Sequence, residues 1–184
     1  MDDLAQKSIE LQRHPVDGRH LRSLLGNYLT GVTIVTAAGR SGPVGTTVNS
    51  FTSVSLDPPL VLFCLHTDST VLAEVAAANG FAINILNQYQ SELCRRFARR
   101  SSATFTGVPL LENTDGPPVF AEAIAYLSCD LVARHPGGDH EILIGRVRDL
   151  AVLRGDTAPL AFFRGAHPRV DLRWAEEIAY WPGD

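Results

Sequence analysis

The residues best suited to chemistry in this sequence lie in three short polar stretches, and the first of them runs through a predicted strand. Residues 46–53 read TTVNSFTS, so hydroxyl groups and one amide occupy positions that a buried strand would fill with apolar side chains. Neutral donors and acceptors of this kind suit a flat ligand rich in heteroatoms. A solvent-facing edge strand would show the same composition, because threonine is favoured in strands. Both interpretations are open at this point.

The second stretch, His66-Thr67-Asp68-Ser69-Thr70, lies where an apolar run ends and a helical pattern begins. The unpaired backbone N–H groups of a helix N-terminus can bind an anion, and the hydroxyls would assist. Asp68 or Ser69 can equally act as the N-cap of the helix. The next helical pattern carries arginines at positions 95, 96, 99 and 100, whose i,i+4 spacing is typical of a solvated helix face.

The third stretch, Gly138-Asp139-His140, opens a strand after a tight turn. An imidazole there can contact a ligand or simply lie at a solvent-exposed tip. His135 and His140 flank Asp139, but no cluster of Cys or Glu accompanies them, so no metal site is predicted. The motifs GxSxG, GxxxxGK[ST], GxGxxG and HExxH are absent, which disfavours the commonest hydrolases, P-loop enzymes, dinucleotide folds and zinc proteases.

Composition restricts the class of protein further. The chain of 184 residues is 45% hydrophobic and 20% charged with a net charge of −4, which predicts one globular domain that does not bind nucleic acid. Its three cysteines, at positions 64, 94 and 129, are too far apart for a redox pair or a zinc ribbon, and they suit a reducing cytoplasm. The acidic start and the lack of a long apolar run predict a protein that is neither secreted nor membrane-spanning.

The pattern of apolar residues predicts the elements that position these stretches. Leu21, Leu24 and Leu25 follow helical spacing in a predicted helix over 18–29 that would lie on a core. The run LVLFCL at 60–65 is apolar throughout and is typical of a central strand buried on both faces. The remaining strands are predicted over 31–37, 44–56, 81–86, 123–135, 140–153 and 160–163, and the remaining helices over 69–78, 91–100 and 171–180.

Tight turns at 39–42 and 136–139 predict hairpins. Because most strands are joined by turns and few by helices, the chain is predicted to be mainly β, an antiparallel barrel with peripheral helices. Its domain is expected to cover residues 18–170, with an N-terminal arm over 1–17 and a C-terminal helix or tail over 171–184.

Taken in order, several segments of the chain resemble the short-chain flavin reductase family. The segments are TGVTIVT (30–36), GTTVNSFTSVSLDPPLVL (45–62), Phe97-Ala98, Gly137-Gly138-Asp139-His140 and Phe163-Arg164-Gly165. The family's fold is the FMN-binding split barrel, and its members work as homodimers. The resemblance therefore implies the antiparallel barrel that the strand pattern also predicts.

The resemblance also implies site residues. The flavin ring would lie against Thr46, Thr47, Val48, Asn49 and Ser50. The ribityl chain and phosphate would meet Cys64, Leu65, His66, Ser69 and Thr70 together with Arg96 and Phe97. His140, the candidate catalytic residue, would lie against the nicotinamide, with Arg164 and His167 as further nicotinamide contacts; His167 stands where the family usually has an aromatic residue.

The implied function is an NAD(P)H-dependent flavin reductase that transfers hydride from NADH or NADPH to FMN or FAD and supplies reduced flavin to a separate monooxygenase. Three alternatives are left open: a flavin carrier or sensor that performs no turnover, an oxidase resembling the pyridoxamine phosphate group, and a structural subunit of an oxygenase complex. Hydride transfer between the two cofactors needs no catalytic triad, which agrees with a candidate site built from hydroxyls and amides.

Overall fold

A computed structural model describes residue 11 and residues 13–99, 104–112 and 116–172 of the chain. Residues 173–180 of the predicted terminal helix over 171–180 and most of the predicted arm over 1–17 lie outside the described residues. The elements, in chain order, are α1 (Gly18–Leu25), β1 (Thr30–Gly31), β2 (Thr33–Gly39), β3 (Gly42–Val48), β4 (Thr52–Leu56), β5 (Pro59–His66), α2 (Thr70–Ala78), β6 (Gly80–Ile85), α3 (Ser91–Phe97), β7 (Ala125–Gly137), β8 (His140–Val152) and β9 (Ala161–Phe162).

Seven strands form one antiparallel sheet in the order β3-β2-β6-β7-β8-β5-β4. Its two edge strands, β3 and β4, are separated in sequence only by residues 49–51. In a flat sheet of seven strands the two edge strands would lie about 29 Å apart. The connection through residues 49–51 can span at most about 15 Å. The sheet must therefore curl into a barrel, and the predicted antiparallel barrel is confirmed.

The prediction of one strand over 44–56 is wrong, because the chain leaves one edge of the sheet after Val48 and joins the other edge at Thr52. The residues at the break, 48–52, include neither proline nor glycine to mark it. Closure of the barrel, which depends on all seven strands, decides where the strand is interrupted.

Both predicted hairpins are present. β2 and β3 pair from Thr33↔Val48 to Gly39↔Gly42, and β7 and β8 end at the pair Gly137↔His140. The loop between β7 and β8 is Gly138-Asp139, and Gly138 has φ of 74°, a left-handed conformation that glycine adopts without strain. This loop places Asp139 and His140 at the tip of the longest hairpin.

β5 differs from its prediction as a central strand buried on both faces. It lies next to the edge strand β4, and its burial alternates: Val61, Phe63 and Leu65 are buried, whereas Cys64 and His66 are only half-buried. An apolar run does not specify which neighbours cover each face. Continuous buried runs occur instead in β2, from Thr33 to Ala37, and in its neighbour β6, from Phe81 to Asn84. In β2 the barrel interior covers one face, and α3 with its neighbours covers the other.

Two apolar clusters make up the core. The barrel interior contains Phe63, Phe81, Ile83 and Leu143, and α2 packs against it through residues that include Val75. The second cluster lies outside β2 and is formed by Ile34, Leu86, Cys94, Phe97, Phe120 and Leu160 among others. The two clusters hold α2 and α3 in place at the ends of the strands they flank.

α1 does not lie on this core. Leu21, Leu24 and Leu25 are 50%, 68% and 57% exposed, and no residue of α1 is buried. The helical spacing was enough to predict the helix itself, but a stripe of leucines does not identify the surface that covers it. None of the helices in the described ranges combines the length and apolar character needed to cross a membrane.

Candidate functional site

A cleft of about 790 Å³ follows the seam where β3 meets β5, a size typical of small-molecule sites. It brings together the three polar stretches singled out in the sequence. Residues 43–50 form one wall, residues 64–66 and 68–71 form the other, Gly137, His140 and Ile142 close one end, and Ala98 and Arg99 reach it from the end of α3. The cleft therefore joins segments that lie up to 99 positions apart in the chain, from 43 to 142.

The backbone of β3 is itself a feature of the cleft. β3 pairs only with β2, so the N–H and C=O groups on its other edge are left without a strand partner. Gly45 is buried behind this edge, and a side-chain Cβ there would lie 3.0 Å from the Phe97 ring. Gly45 was not among the predicted site residues, although a glycine within a strand is a known sign of close approach.

Two of the predicted hydroxyl donors are already engaged within the protein. Thr47 Oγ1 donates to the carbonyl oxygen of Cys94 at 2.8 Å, which ties β3 to α3. Ser50 Oγ bonds both backbone groups of Cys64 across the seam. By contrast, the side chains of Thr46 and Asn49 make no hydrogen bond within the described ranges, and Asn49 is exposed. Their polar groups are available to a ligand.

The N-terminus of α2 faces the same cleft. Ser69 occupies the N-cap position, but its hydroxyl makes no capping hydrogen bond, and Asp68 directs its carboxylate towards His66 Nδ1 at 3.7 Å. The capping interpretation is therefore not confirmed for either side chain. The backbone N–H groups of Thr70 and Val71 have no partner among the described residues, so the helix presents free donors where an anion would be stabilised.

A cluster of two histidines and two aspartates lies at the hairpin end of the cleft. His66 and His140 are cross-strand partners whose rings meet edge to face with centroids 5.2 Å apart. His140 Nδ1 lies 2.7 Å from Asp139 Oδ1. This hydrogen bond, followed by the electrostatic interaction with the His140 ring, lowers the pKa of Asp139 below its ordinary value. No group of three or more such residues suited to a metal ion occurs in the part of the chain that the structure describes.

Four predicted site residues do not line the cleft. Arg96 donates to the Thr106 carbonyl at 3.3 Å, and Phe97 is buried in the second core cluster. Arg164 bonds the Asn27 side-chain oxygen, and His167 Nδ1 lies 2.9 Å from the Ala161 carbonyl. Arg99, two residues beyond the end of α3, reaches the cleft where Arg96 was expected, because the packing of α3 on β3 decides which way the helix and the residues after it face.

The remaining predicted residues all line the cleft. These are Thr46, Thr47, Val48, Asn49, Ser50, Cys64, Leu65, His66, Ser69, Thr70 and His140. They offer neutral polar groups, free helix N–H groups and the imidazoles of His66 and His140, and among the described residues that line the cleft only Asp68 carries a carboxylate. This donor set suits a planar, heteroatom-rich ring bearing a phosphate.

Comparison with known proteins agrees with this geometry. A reductase subunit of a flavin-dependent monooxygenase from Rhodococcus jostii is 37% identical over 85% of this chain and 80% of that protein. A protein of Agrobacterium fabrum named as an FMN reductase (NADH) is 42% identical over 83% of this chain and 86% of that one. These relatives span most of the chain.

The solved structures extend the agreement to the fold. An NADH:FAD oxidoreductase from Streptomyces globisporus, solved in complex with NAD and FAD fragments, matches with a TM-score of 0.81 and 36% identity over 89% of this chain and 99% of that one. The split barrel implied by the sequence resemblance is therefore confirmed. The family model described as the flavin reductase like domain matches residues 25–171, and the chain belongs to that family.

Proposed function

We propose that this chain is an NADH-dependent flavin reductase that reduces FMN or FAD and releases the reduced flavin to a separate monooxygenase. The observation that carries the proposal is the single cleft in which the free edge of β3, the N-terminus of α2 and His140 lie together. The β3 edge suits the flavin ring, the N-terminus of α2 suits the flavin phosphate, and His140 suits the nicotinamide.

The residues present fit a flavin. Its ring would lie along residues 46–50, held by the free backbone edge of β3 and by Asn49, while Thr47 and Ser50 keep that wall in place. Its phosphate would meet Ser69, Thr70 and the free N–H groups at the start of α2. The ribityl chain between them would pass Cys64, Leu65 and His66, which line the wall of the cleft formed by β5.

A bound flavin supplies the electron-accepting chemistry, because its N5 atom can take hydride directly from a reduced nicotinamide. The protein has to orient two rings face to face and to exclude water between them. Donors on the β3 edge would stabilise negative charge that develops on the ring. No acid or base has to be positioned for this reaction, which accounts for a cleft wall of hydroxyl, amide and backbone groups.

His140 is proposed to contact the nicotinamide. It lines the cleft at the tip of the β7–β8 hairpin, and 44% of its side chain is exposed before any ligand covers it. An imidazole there can hydrogen-bond the carboxamide group and orient the ring. Arg164 and His167 lie outside the cleft of a single chain, so they are not proposed as nicotinamide contacts.

NADH is proposed as the electron donor because two of the matched proteins carry it in their names. The same names give FMN in one case and FAD in the other, and the two flavins present the same ring to the cleft. Release of reduced flavin is consistent with a phosphate site made from backbone N–H groups and hydroxyls, in which Arg99 is the one arginine that lines the cleft within the described ranges. Such a site favours exchangeable binding.

Two further features complete the proposal. The exposed stripe of Leu21, Leu24 and Leu25 supports a homodimer in which a second copy covers α1, because an apolar stripe of this kind marks an interaction surface. The three cysteines are all free thiols, which supports a cytoplasmic location. Sedimentation velocity of the purified chain and of a Leu24→Glu variant tests the dimer, and a monomeric unaltered chain would contradict it.

The function is tested by measuring NADH and NADPH oxidation by the purified chain with added riboflavin, FMN or FAD. We expect oxidation well above the uncatalysed rate, dependent on added flavin and faster with NADH. Trapping of the reduced flavin by cytochrome c identifies it as a released product. Flavin binding without oxidation of either nucleotide would support a carrier or sensor, and neither binding nor oxidation would support a structural subunit.

A further inference from the structure

Asp139 lies between the two histidines of the cleft. Its Oδ1 is 2.7 Å from His140 Nδ1, and its Oδ2 is 4.0 Å from His66 Nε2. Its backbone carbonyl accepts from Thr67 N–H at 3.0 Å and from Thr67 Oγ1 at 3.2 Å. The end of β5 therefore anchors the hairpin tip, and the Asp139 carboxylate is held against His140.

The hydrogen bond determines which nitrogen of His140 carries the proton. An ionised carboxylate only accepts hydrogen bonds, so the hydrogen between Asp139 and His140 must be on Nδ1. In the neutral imidazole, Nε2 then has a free lone pair and acts as an acceptor. Asp139 is ionised near neutral pH, because its hydrogen bond with His140 favours the charged form.

His66 is held in the opposite tautomer. The backbone N–H of Asp68 donates to His66 Nδ1 at 3.1 Å, so the proton of the neutral ring lies on Nε2, the atom nearest Asp139. Asp139 thus faces two N–H groups, one from each ring. This arrangement leaves His140 Nε2 as the ring nitrogen that is not committed to a partner in the cluster.

We propose that Asp139 is a positioning residue that holds His140 with Nε2 as a hydrogen-bond acceptor for the amide N–H of the nicotinamide carboxamide. The proposal rests on the proposed function, in which His140 contacts NADH. Beyond that contact, Asp139 makes His140 Nε2 an acceptor, and His140 recognises NADH through the NH₂ group of its carboxamide. A histidine presenting Nε2–H would instead select the carboxamide oxygen.

The kinetic test uses Asp139→Asn, whose neutral amide can pair with either tautomer of His140. Because the charged acceptor that selects one tautomer is replaced by a neutral group at an exposed site, we expect KM for NADH to rise about threefold to tenfold. kcat and flavin affinity should stay within about twofold of the unaltered values, since the flavin site is untouched. Asp139→Glu, which retains the carboxylate, should recover part of the loss.

Asp149→Asn is the matched control. Asp149 lies on the same hairpin, accepts a hydrogen bond from Tyr126 at 2.5 Å and is exposed, and it is remote from the cleft lining. An equal rise in KM in both variants would overturn the proposal, since it would show a general effect on the hairpin. In a His140→Ala background, Asp139→Asn should cause no further rise in KM, and a full additional rise would also overturn it.

A substrate analogue tests the carboxamide contact directly. Reduced 3-acetylpyridine adenine dinucleotide has a methyl group in place of the amide NH₂, so it cannot donate to His140 Nε2. The Asp139→Asn penalty seen with NADH should disappear with this analogue. A penalty of the same size with both substrates would contradict recognition through the amide N–H.

Nitrogen NMR of the ligand-free chain distinguishes a failure of the positioning role of Asp139 from a failure of the proposed reductase function. The ¹⁵N shifts of His140 should show Nδ1–H in the unaltered chain and a shift towards the other tautomer in Asp139→Asn. If His140 carries its proton on Nε2 in the unaltered chain, the positioning role fails even where the chain is an active reductase. If the tautomer is as expected but no nucleotide is oxidised, the proposed function fails and the geometric assignment stands.

Discussion

The side chain of Ser50 spans the seam of the barrel and bonds the backbone of Cys64 in both directions. Its Oγ donates to the Cys64 carbonyl at 3.2 Å and accepts from the Cys64 N–H at 2.9 Å. One hydroxyl thereby replaces the pair of ladder hydrogen bonds that a neighbouring strand would have made. The seam is closed at this point, and the cleft is formed alongside it.

Ser50→Ala should destabilise the fold, because it leaves both backbone groups of half-buried Cys64 without their partner. We expect a loss of about 1–3 kcal/mol in the free energy of unfolding, measured by urea titration, together with weaker flavin binding. Ser53→Ala is the control, since Ser53 is exposed on β4 and its hydroxyl bonds nothing in the described ranges. Equal stability of the two variants would show that the seam does not depend on Ser50.

His140→Ala should raise KM for NADH by about fivefold or more, the loss expected when one ligand hydrogen bond is removed. Flavin affinity should change little, because residues 46–50 and the start of α2 are unaltered. Steady-state kinetics and flavin titration measure the two effects separately. His135→Ala on the same hairpin is exposed and should behave as the unaltered chain. An unchanged KM in His140→Ala would remove this residue from the nicotinamide site.

The three thiols should differ in their rates of alkylation, and the rate at Cys64 shows whether the cleft is open to solvent. Burial, followed by the charge of Asp130, raises the pKa of Cys129 to about 12, so it should resist alkylation in the folded chain. Cys64 is half-buried in the cleft wall, and burial raises its pKa above the ordinary value. It should be alkylated first, and faster as the pH rises above neutral because the thiolate fraction grows.

Saturating FMN should slow alkylation of Cys64, because the proposed ribityl path covers it. Peptide mass spectrometry after timed alkylation measures the modification of each thiol, and a sample in urea, in which all three react, provides the reference. Alkylation of Cys64 at the same rate with and without FMN would place the flavin elsewhere.

Gly145→Ala should destabilise the barrel from its interior. A Cβ at this position of β8 would overlap the ring of Phe81, with Cε1 at 2.8 Å, and would lie 3.0 Å from Cys129 Cβ. Phe81 is fully buried and cannot move aside, so we expect a cost of about 1–3 kcal/mol in urea unfolding. Gly31→Ala, where nothing lies within 4 Å, should change stability by no more than about 0.5 kcal/mol.

Local sequence patterns predicted the parts of this fold that depend on neighbouring residues. The turns at Arg40-Ser41 and Gly138-Asp139 lie where glycine marks them, because a tight turn is determined by the few residues that form it. The polar stretches that became the cleft walls were also recognisable, since hydroxyls and amides in a strand are visible without knowledge of the partner. The resemblance to flavin reductases rested on the same segments.

Predictions that depended on long-range packing were the ones that failed. The break between β3 and β4, the position of β5 next to an edge strand and the exposure of α1 all depend on which elements become neighbours. The same reason explains why Arg99 lines the cleft in place of Arg96, and why Thr47 and Ser50 use their hydroxyls on Cys94 and Cys64.

The sequence by itself therefore determined most of the strands, the hairpins, the antiparallel class and the three polar stretches, because each depends on spacing and turn chemistry within a short segment. Only the tertiary structure decided that these stretches share one cleft, that the backbone edge of β3 is free along it, and that Asp139 lies between His66 and His140. Barrel closure brings together residues that are distant in the chain, and no local pattern specifies the register at which the two edges meet.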